Sequence, residues 1–437
     1  MSFSVFNKES RLLPAFSKPY PDELLSSWLT RMAFDHGLNV SELHEYIWPE
    51  SNGHPDIDRV ITNKDIQVFA DRTNCSFEEV YNTTLSYYKH KLFSSSHMMM
   101  APDLWLIHSK RVNARWKNNY HSGLMFCPGC LKKKAYFKKQ WRLAVSFVCN
   151  HCGYYLVEEC PNCKKGSSLV DTVKEDLSDR TVQEYLVNCH RCDHDVTDCE
   201  PEIAPPGVVK LQQQLYDIID YGVNEKVVYQ STYFSILHQI ASLATGYKKT
   251  DYKVRRLILD VYAVFDLPTD YFSSTEKIQL KELSVKKRAT AIMLAHWLLE
   301  QWPDRLIMMC RKQGIVSHDL LPYFNHPPFW FWEKISYGLS PGFNEKKIPS
   351  KQQDEYTTIL KGEITNNLEY DHDLDDLFYN ADIYEMYSAR DDEDEDYCSS
   401  DDEGNEIVKK TYDDSYNLLE YLANEPADII EMSRYVA

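Results

Sequence analysis

The sequence predicts a mainly α-helical protein with a small β region at a cysteine-rich centre. Three observations support this prediction: helical patterns of apolar residues on both sides of the centre, four Cys-x-x-Cys pairs within residues 127–192, and a strongly acidic tail. We therefore divide the 437 residues into four parts. They are an N-terminal helical domain with a helix-turn-helix (1–125), a cysteine-rich region (126–200), a C-terminal helical domain (207–345) and the tail (346–437).

The first helix is predicted to begin at Pro21, because proline is favoured in a first helical turn, and to end at Gly37. Asp22 and Glu23 would then lie at the positive end of the helix dipole. Apolar residues recur along this helix at helical spacing, so we expect one buried face. A second, short helix is predicted at residues 42–48.

Residues 63–88 indicate a helix-turn-helix. The first helix is predicted at residues 64–73, and the second follows a capping box of Ser76 and Glu79 and carries Leu85 on its inner face. Such a unit can place its second helix in the major groove of DNA. The alternative is an ordinary helical hairpin, and two glutamates at the start of the second helix weigh against close approach to phosphate.

Four Cys-x-x-Cys pairs determine the chemistry of the centre. Each such turn directs two thiolates to one point, and structural zinc takes four ligands, so two pairs complete one site. Eight cysteines therefore predict two closed zinc sites in a double zinc ribbon, with strands between the pairs, such as the apolar run 143–148. We expect sequential pairing, with four ligands on one ion (Cys127, Cys130, Cys149, Cys152) and four on the other (Cys160, Cys163, Cys189, Cys192).

Two alternatives compete with structural zinc sites. Disulfides need an oxidising compartment, and the N-terminus lacks the apolar segment of a signal peptide, so we expect reduced cysteines in a cytoplasmic protein. A catalytic zinc site would keep an open position, whereas each group here supplies four thiolates. His151, His190 and His194 lie beside the pairs and are alternative ligands in place of a cysteine.

Charge is distributed unevenly along the chain. Of the net charge of −18, residues 351–437 contribute −20 through 26 acidic and 6 basic residues, and residues 1–350 contribute the remaining +2. Residues 106–165 hold 12 Lys or Arg against two Glu, a net of +10, with aromatic residues between them. Such a basic segment is the expected footprint of a nucleic-acid contact, and the alternative is an ordinary solvated surface.

The C-terminal domain is predicted to contain five helices, at residues 208–222, 231–245, 251–265, 275–301 and 303–313. Residues 289–300 are apolar on nearly every face, which indicates a buried helix with His296 as a core residue. Four tryptophans predict an aromatic core (Trp297, Trp302, Trp330, Trp332). Three basic clusters fit either phosphate contact or plain helix surface (Lys248 and Lys249; Lys253, Arg255 and Arg256; Lys286, Lys287 and Arg288).

The tail from residue 346 has a composition that cannot bury a core, so we expect it to be disordered. Within it, residues 391–403 hold nine acidic residues and no basic one. Neighbouring carboxylates in one segment do not converge on a metal as those of a nuclease do. We instead expect this acidic run to mimic nucleic acid and to cover the basic segment in cis.

Common enzyme signatures are missing from the sequence. It has no P-loop, no Rossmann glycine fingerprint and no Gly-x-Ser-x-Gly elbow, and it holds only 14 glycines. We therefore predict a protein that is not an enzyme. The sequence also has no run of about 18 apolar residues, so we expect no membrane-spanning segment.

Three stretches of the sequence resemble the TniQ/TnsD family of transposon target-selection proteins. The first lies at residues 13–31 and includes Pro-Asp-Glu-Leu-Leu-Ser-Ser-Trp-Leu-Thr-Arg. The second is Phe-Cys-Pro-Gly-Cys-Leu at 126–131, followed by Trp141 and Arg142. The third is Cys-Asn-His-Cys-Gly-Tyr-Tyr-Leu at 149–156, where Cys152 replaces the usual histidine of the family; both residue types bind zinc.

This resemblance covers roughly residues 12–192 and implies an adaptor that chooses the insertion site of a transposon. Family members bind an attachment sequence in DNA directly, or dock on a CRISPR–Cascade complex with its guide RNA. They then recruit a AAA+ ATPase regulator, which brings the transposase. The resemblance also allows a homodimer.

In the version that binds DNA directly, we expect six basic residues to hold phosphates (Lys132, Lys133, Lys134, Lys138, Lys139, Arg142). Trp28 and Arg31 on the first helix are predicted to contact the ATPase, and the alternative for Trp28 is a core position. Two competing hypotheses remain. One is a zinc-dependent DNA-binding transcription regulator without a transposition partner, and the other is a scaffold whose zinc ions only stabilise the fold.

Overall fold

A computed structural model describes residues 12–49, 56–92, 104–107, 124–166, 169, 181–222, 230–272 and 278–340. In these ranges the regular structure is helical and antiparallel pairing is limited to isolated bridges, so the mainly helical fold class is confirmed. The α-helices here are α1 (Leu25–Asp35), α2 (Val40–Ile47), α3 (Ile57–Val60), α4 (Asn63–Thr73), α5 (Phe77–Tyr81), α6 (Lys89–Leu92), α7 (Pro128–Lys133), α8 (Val182–Val187), α9 (Pro206–Tyr221), α10 (Gln230–Ala244), α11 (Tyr252–Val264), α12 (Val285–Glu300), α13 (Asp304–Lys312), α14 (Ser317–Leu320) and α15 (Phe329–Gly338).

Helix α1 begins later than predicted because Asp22 has a left-handed backbone. Its φ of 59° cannot continue a right-handed helical turn, so the helix starts at Leu25. Residues 25–33 are all buried, including the polar ones, and α1 is therefore a core helix rather than a half-exposed one. Helix α2 starts two residues before its predicted bound because the side chain of Asn39 caps it.

The predicted helix-turn-helix is present, but its second helix is shorter than expected. Helix α4 ends at Asn74, whose left-handed backbone forms the C-cap, and Ser76 and Glu79 form the predicted capping box of α5. Helix α5 then stops at Tyr81, and Leu85 begins a separate 3-10 turn. The five residues of α5 make little more than one helical turn, since an α-helix has about 3.6 residues per turn.

The predicted ribbon strands are reduced to single antiparallel bridges within the described residues. One such bridge joins Phe126 to Val157 beside the first cysteine pair. The apolar run 143–148 is buried as expected. It forms no ladder because the N–H groups of Phe147 and its neighbour donate to the side chain of Gln212 on α9, at 2.7 and 3.3 Å.

Four of the five predicted C-terminal helices lie within two residues of their expected bounds, as α9, α10, α11 and α13. The fifth, predicted at 275–301, is shortened to α12. Residues 280–282 form a 3-10 turn, and Ser284 is extended at the N-cap, so the helical pattern there begins only at Val285.

The predicted aromatic core is smaller than four tryptophans. Trp302 packs against Trp330 and Phe331 with ring centroids 5.1 and 5.0 Å apart, and all three are buried. Trp297 and Trp332 are only partly buried. His296, predicted as a core residue, is also partly buried: its Nδ1 lies 2.8 Å from the Tyr233 hydroxyl, and burial lowers the pKa of its ring.

Residues 341–437 lie outside the described part of the chain, and the predicted acidic tail with its run at 391–403 falls there. All described residues belong to a single unit of the fold. The predicted domain boundaries stay predictions. Among the described helices, none combines the length and apolar character needed to cross a membrane.

Candidate zinc centres and the basic surface beside them

The cysteine pairs share one backbone turn. In three of the four pairs the residue after the second cysteine has a positive φ: 71° at Gly153, 56° at Lys164 and 57° at Asp193. Its N–H donates to the carbonyl of the first cysteine of the pair, at 2.7, 3.0 and 2.8 Å respectively. This turn fixes both sulfurs on one side of the chain. The first pair differs, because it continues into α7.

The structure brings the eight cysteines together in two groups of four. Within each group all Sγ atoms lie within 4.8 Å of one another. The Sγ of Cys130 is 3.5 Å from that of Cys149 and 3.6 Å from that of Cys152. In the second group, two sulfur pairs are 3.6 and 3.7 Å apart. The grouping follows the predicted sequential pairing (Cys127, Cys130, Cys149, Cys152 and Cys160, Cys163, Cys189, Cys192).

Both groups fit a zinc ion. A tetrahedral ion with Zn–S bonds of about 2.3 Å separates its sulfurs by about 3.8 Å, close to the separations observed. All eight cysteines are free rather than joined at the roughly 2.05 Å of a disulfide. Hydrogen bonds among these thiols lower the pKa of Cys149 and raise the pKa of Cys127, and zinc would bind each of the four cysteines as a thiolate.

No histidine belongs to either group among the described residues, which include His151, His190 and His194. The alternative that one of them replaces a cysteine is therefore not needed for a complete site. Four thiolates per ion leave no open position, and such closed sites are typical of structural zinc.

The first zinc group lies deep in the fold. Phe126, Leu131, Phe147 and Val148 surround its ligands, and all four are fully buried. Gly129 lies between the first two cysteines, and a Cβ there would come within 3.2 Å of the Cys152 sulfur. Close packing of this kind makes the first group part of the core.

An exposed basic surface begins directly after the first cysteine pair. Lys132 and Lys133 lie on the last turn of α7, and Lys134 follows it; all three side chains are exposed. Lys138 is partly exposed. The ammonium of Lys134 lies 3.3 Å from the ring centroid of Tyr20, so a cation–π contact holds one end of this surface against the N-terminal segment.

The other two residues of the predicted phosphate-binding set lie in the interior, which corrects that prediction. Lys139 is buried, its ammonium donates to the Asn82 carbonyl at 2.6 Å, and burial lowers its pKa to about 8. Arg142 is also buried and forms ion pairs with Asp56 at 2.6 Å and Asp58 at 3.0 Å. Neither side chain can reach a phosphate on the surface.

The predicted partner contacts Trp28 and Arg31 are corrected in the same way. Trp28 is fully buried against Phe69, so its alternative interpretation as a core residue holds. Arg31 is nearly buried, and its guanidinium donates to both carboxylate oxygens of Glu23, at 2.9 and 2.7 Å. A surface contact with another protein through these side chains would require α1 to leave the core.

Sequence reasoning missed the role of several acidic and hydroxyl residues. Asp58 accepts from the backbone N–H and the hydroxyl of Ser26 on α1, at 2.7 and 2.8 Å, and no local pattern in the sequence predicts this contact. The hydroxyl of Ser27 accepts from the N–H of Phe137 at 3.0 Å. A signal that could have shown this was the pair of adjacent serines near the start of α1, between apolar residues.

The C-terminal basic clusters are partly neutralised inside the protein. Arg288 is fully buried and paired with Glu158 at 3.1 Å, so it does not belong to a surface cluster. Lys286 pairs with Glu202 at 2.5 Å, and Lys248 donates to a backbone carbonyl. Arg255 and Arg256 are exposed on α11.

Residues 14–156 match the model of the TniQ family. A search of curated proteins found no significant match. The matched range extends from the segment before α1 through the first zinc group. It includes two buried ion pairs, Arg31 with Glu23 and Arg142 with Asp58. This part of the chain is therefore similar to the TniQ family.

Proposed function

We propose that this protein is a target-selection adaptor for transposition. In this proposal it binds DNA, a guide-RNA effector complex of the CRISPR–Cascade type, or both, and recruits the AAA+ ATPase that regulates the transposase. The two zinc ions hold the fold, and the chain performs no catalytic step of its own. The family match over residues 14–156 associates the chain with transposition and is the observation that carries the proposal.

The basic surface of Lys132, Lys133, Lys134 and Lys138 supports DNA contact within this proposal. Exposed lysines on a helix end attract phosphate, and the adjacent zinc group holds that helix rigidly. The whole chain carries −18, so association through this surface is local and depends on salt.

The adaptor role is tested by isolating the tagged protein from its native host cells with nucleic acid retained. Recovery of a AAA+ ATPase with one discrete DNA site would identify a direct reader. Recovery of the ATPase with Cascade subunits and guide RNA would identify a guide-coupled adaptor. If neither an ATPase nor Cascade is recovered, the proposal fails and a zinc-dependent transcription regulator becomes the better hypothesis.

The DNA surface is tested by a triple substitution, Lys132→Ala, Lys133→Ala and Lys134→Ala. Each phosphate contact contributes about 0.9 to the slope of log affinity against log salt, so we expect the slope to fall by up to roughly 2.7 on a mixed-sequence duplex. The matched control removes three exposed lysines elsewhere (Lys64, Lys210, Lys287). Equal losses in both variants would show that net charge, and not this surface, drives binding.

A further inference from the structure

Helix α11 presents a basic and aromatic stripe to solvent. Tyr252, Arg255, Arg256, Leu259 and Ala263 recur at spacings of three and four residues, so they lie along one face. Tyr252 is 73% exposed, both arginines are exposed, and Leu259 is partly exposed. None of these five residues is acidic, although Asp260, four residues after Arg256, lies at the edge of the stripe.

The inner face of α11 fixes the helix firmly. Val254, Leu257, Ile258 and Val261 are buried, and the hydroxyl of Tyr262 donates to the carbonyl of Ala244 at the end of α10. The Asp251 side chain caps the first turn by accepting from the Val254 N–H at 2.8 Å. The stripe therefore lies on a rigid element and would lose little conformational entropy on binding.

Arg255 and Arg256 form no direct ion pair among the described residues, in contrast to their neighbours. Asp260 is nevertheless close to Arg256: its carboxyl has a lowered pKa, mainly through Lys312 and also through Arg256. Lys253 pairs with Asp319 at 2.6 Å, and Lys312 pairs with Asp260 at 2.9 Å. Arg255 reaches only a backbone carbonyl at 3.5 Å, and Arg256 only the Tyr252 hydroxyl at 3.4 Å. Two guanidinium groups thus keep donors free for a ligand.

Arg256 also lies over the Tyr252 ring, 5.5 Å from its centroid. This contact orients the guanidinium along the outer edge of the first two helical turns. Lys249 is exposed just before the helix and adds a third cation at the same end. Asp266 and Asp270 follow the other end of α11, so the positive end of the stripe is its N-terminal half.

We propose that α11 enters the major groove of double-stranded DNA and reads base edges with Arg255 and Arg256. The groove admits an α-helix, and arginine donates in bidentate fashion to the two acceptors of guanine. The thirteen residues of α11 span about 20 Å, and recognition helices use their N-terminal residues for base contacts. This proposal rests on the proposed DNA-directed function and assigns sequence reading to the C-terminal part of the chain.

Helix α5 of the N-terminal helix-turn-helix is a poorer reader. It has five residues and carries Glu78 and Glu79, which repel phosphate, in its first turn. Charge complementarity also favours DNA over a protein partner for α11, because the exposed cations at its N-terminal half (Lys249, Arg255, Arg256) outnumber the carboxylates beside them (Asp251, Asp260). A protein that docks there is the outcome that the experiment must separate.

The experiment selects bound sequences from a duplex pool with a random central stretch, using the zinc-loaded full chain. We expect the wild type to enrich one discrete motif. Arg255→Ala and Arg256→Ala should each weaken binding to that motif about tenfold or more and relax it at one or two base pairs. Arg256→Lys keeps the charge but loses bidentate geometry, so it should relax the motif while leaving the salt slope unchanged.

Lys287→Ala is the matched control, since it removes one exposed cation from α12. It should enrich the wild-type motif. Enrichment of no motif by the wild type would overturn the proposal, as would an unchanged motif in both Arg→Ala variants. Loss of a co-purified protein by these variants, with DNA binding intact, would show a protein-docking face instead. Recovery of the ATPase is measured separately, so the adaptor function can stand when this inference fails.

Discussion

Arg142 shows how a residue typical of a phosphate contact becomes a structural one. Its guanidinium joins Asp56 and Asp58, and one of its N–H groups donates to the carbonyl of Ile107 at 2.8 Å. Burial disfavours the charged guanidinium, and the two carboxylates more than compensate, so its pKa is raised. The charge is thus used entirely inside the protein.

Replacing this guanidinium should destabilise the fold rather than weaken DNA binding. In Arg142→Met the two buried carboxylates lose this guanidinium, and breaking a buried ion pair costs about 3–5 kcal/mol. Denaturant unfolding of the zinc-loaded protein measures the loss. Lys132→Met is the exposed control and should change stability by less than about 0.5 kcal/mol. Equal stability of the two variants would contradict the structural role of Arg142.

At the left-handed residues after the cysteine pairs, we expect two substitutions to change the free energy of unfolding in opposite directions. A Cβ at Gly153 meets no atom within 4 Å, so Gly153→Ala should cost only the left-handed backbone penalty, about 1–2 kcal/mol. Lys164 has that backbone with a Cβ already, and Lys164→Gly should gain up to about 1 kcal/mol. Unfolding free energies of both variants decide this, and two shifts in the same direction would count against the shared turn.

Lys139 should make the free energy of unfolding depend on pH in the alkaline range. Its folded pKa of about 8 lies below the ordinary 10.5, so between these values the unfolded chain binds a proton that the folded chain does not. The destabilisation caused by burying the charged ammonium of Lys139 is fully present below about pH 8, and it disappears as the pH rises toward 10.5. From pH 7.5 to 9.5 the stability of the wild type relative to Lys139→Met should rise by about 1–2 kcal/mol. A constant difference would mean that the lysine titrates normally.

Sequence patterns predicted the cysteine groups residue by residue, because ligand spacing is a local property. They did not predict which cations are buried. Lys132 and Lys139 look alike in sequence, and only the positions of Asn82 and Tyr87, over 50 residues away, decide that one is exposed and the other enclosed. Pairing over such distances has no local signal.

At the level of elements, helix ends were better predicted than helix starts, since α1 and α12 begin later than predicted; α5 is the exception. The capping box of α5 was visible in the sequence, since Ser76 and Glu79 are three residues apart. Its early end at Tyr81 was not, because apolar spacing continues to Leu85 while the chain turns through Thr83 and Thr84. The predicted strands did not form for a related reason. The Gln212 side chain on α9 accepts the hydrogen bond from Phe147 that a neighbouring strand would have accepted.

The two zinc groups should differ in their importance for the fold. Cys152→Ser and Cys192→Ser should each lower the zinc content from two ions to one, because each removes one of four ligands. Cys152→Ser should lower the melting temperature more, since the first group is surrounded by fully buried residues that reach α9. Metal analysis and calorimetry of both variants test this, and equal shifts in melting temperature would contradict it.

At the level of the whole molecule, we expect the acidic run at 391–403 to oppose DNA binding through its charge. Its nine carboxylates contribute half of the net −18, and at 0.01 M salt the screening length is about 30 Å. Replacing all nine by Asn or Gln, or deleting the run, should raise affinity for nonspecific DNA at low salt and have little effect at high salt. Unchanged low-salt affinity in both variants would remove this role.

The contacts between α1 and the residues around the first zinc group determine which segments could be exchanged between related proteins. Ser27 accepts from Phe137, Leu24 donates to the Phe137 carbonyl at 2.8 Å, and Arg142 neutralises Asp56 and Asp58. A fragment cut before this zinc group would lose the partners of the Ser27 hydroxyl and the Leu24 N–H, and it would remove the Arg142 guanidinium from the two aspartates. The N-terminal helices therefore cannot be moved into another protein on their own. A chimera that folds would have to include the first zinc group together with them.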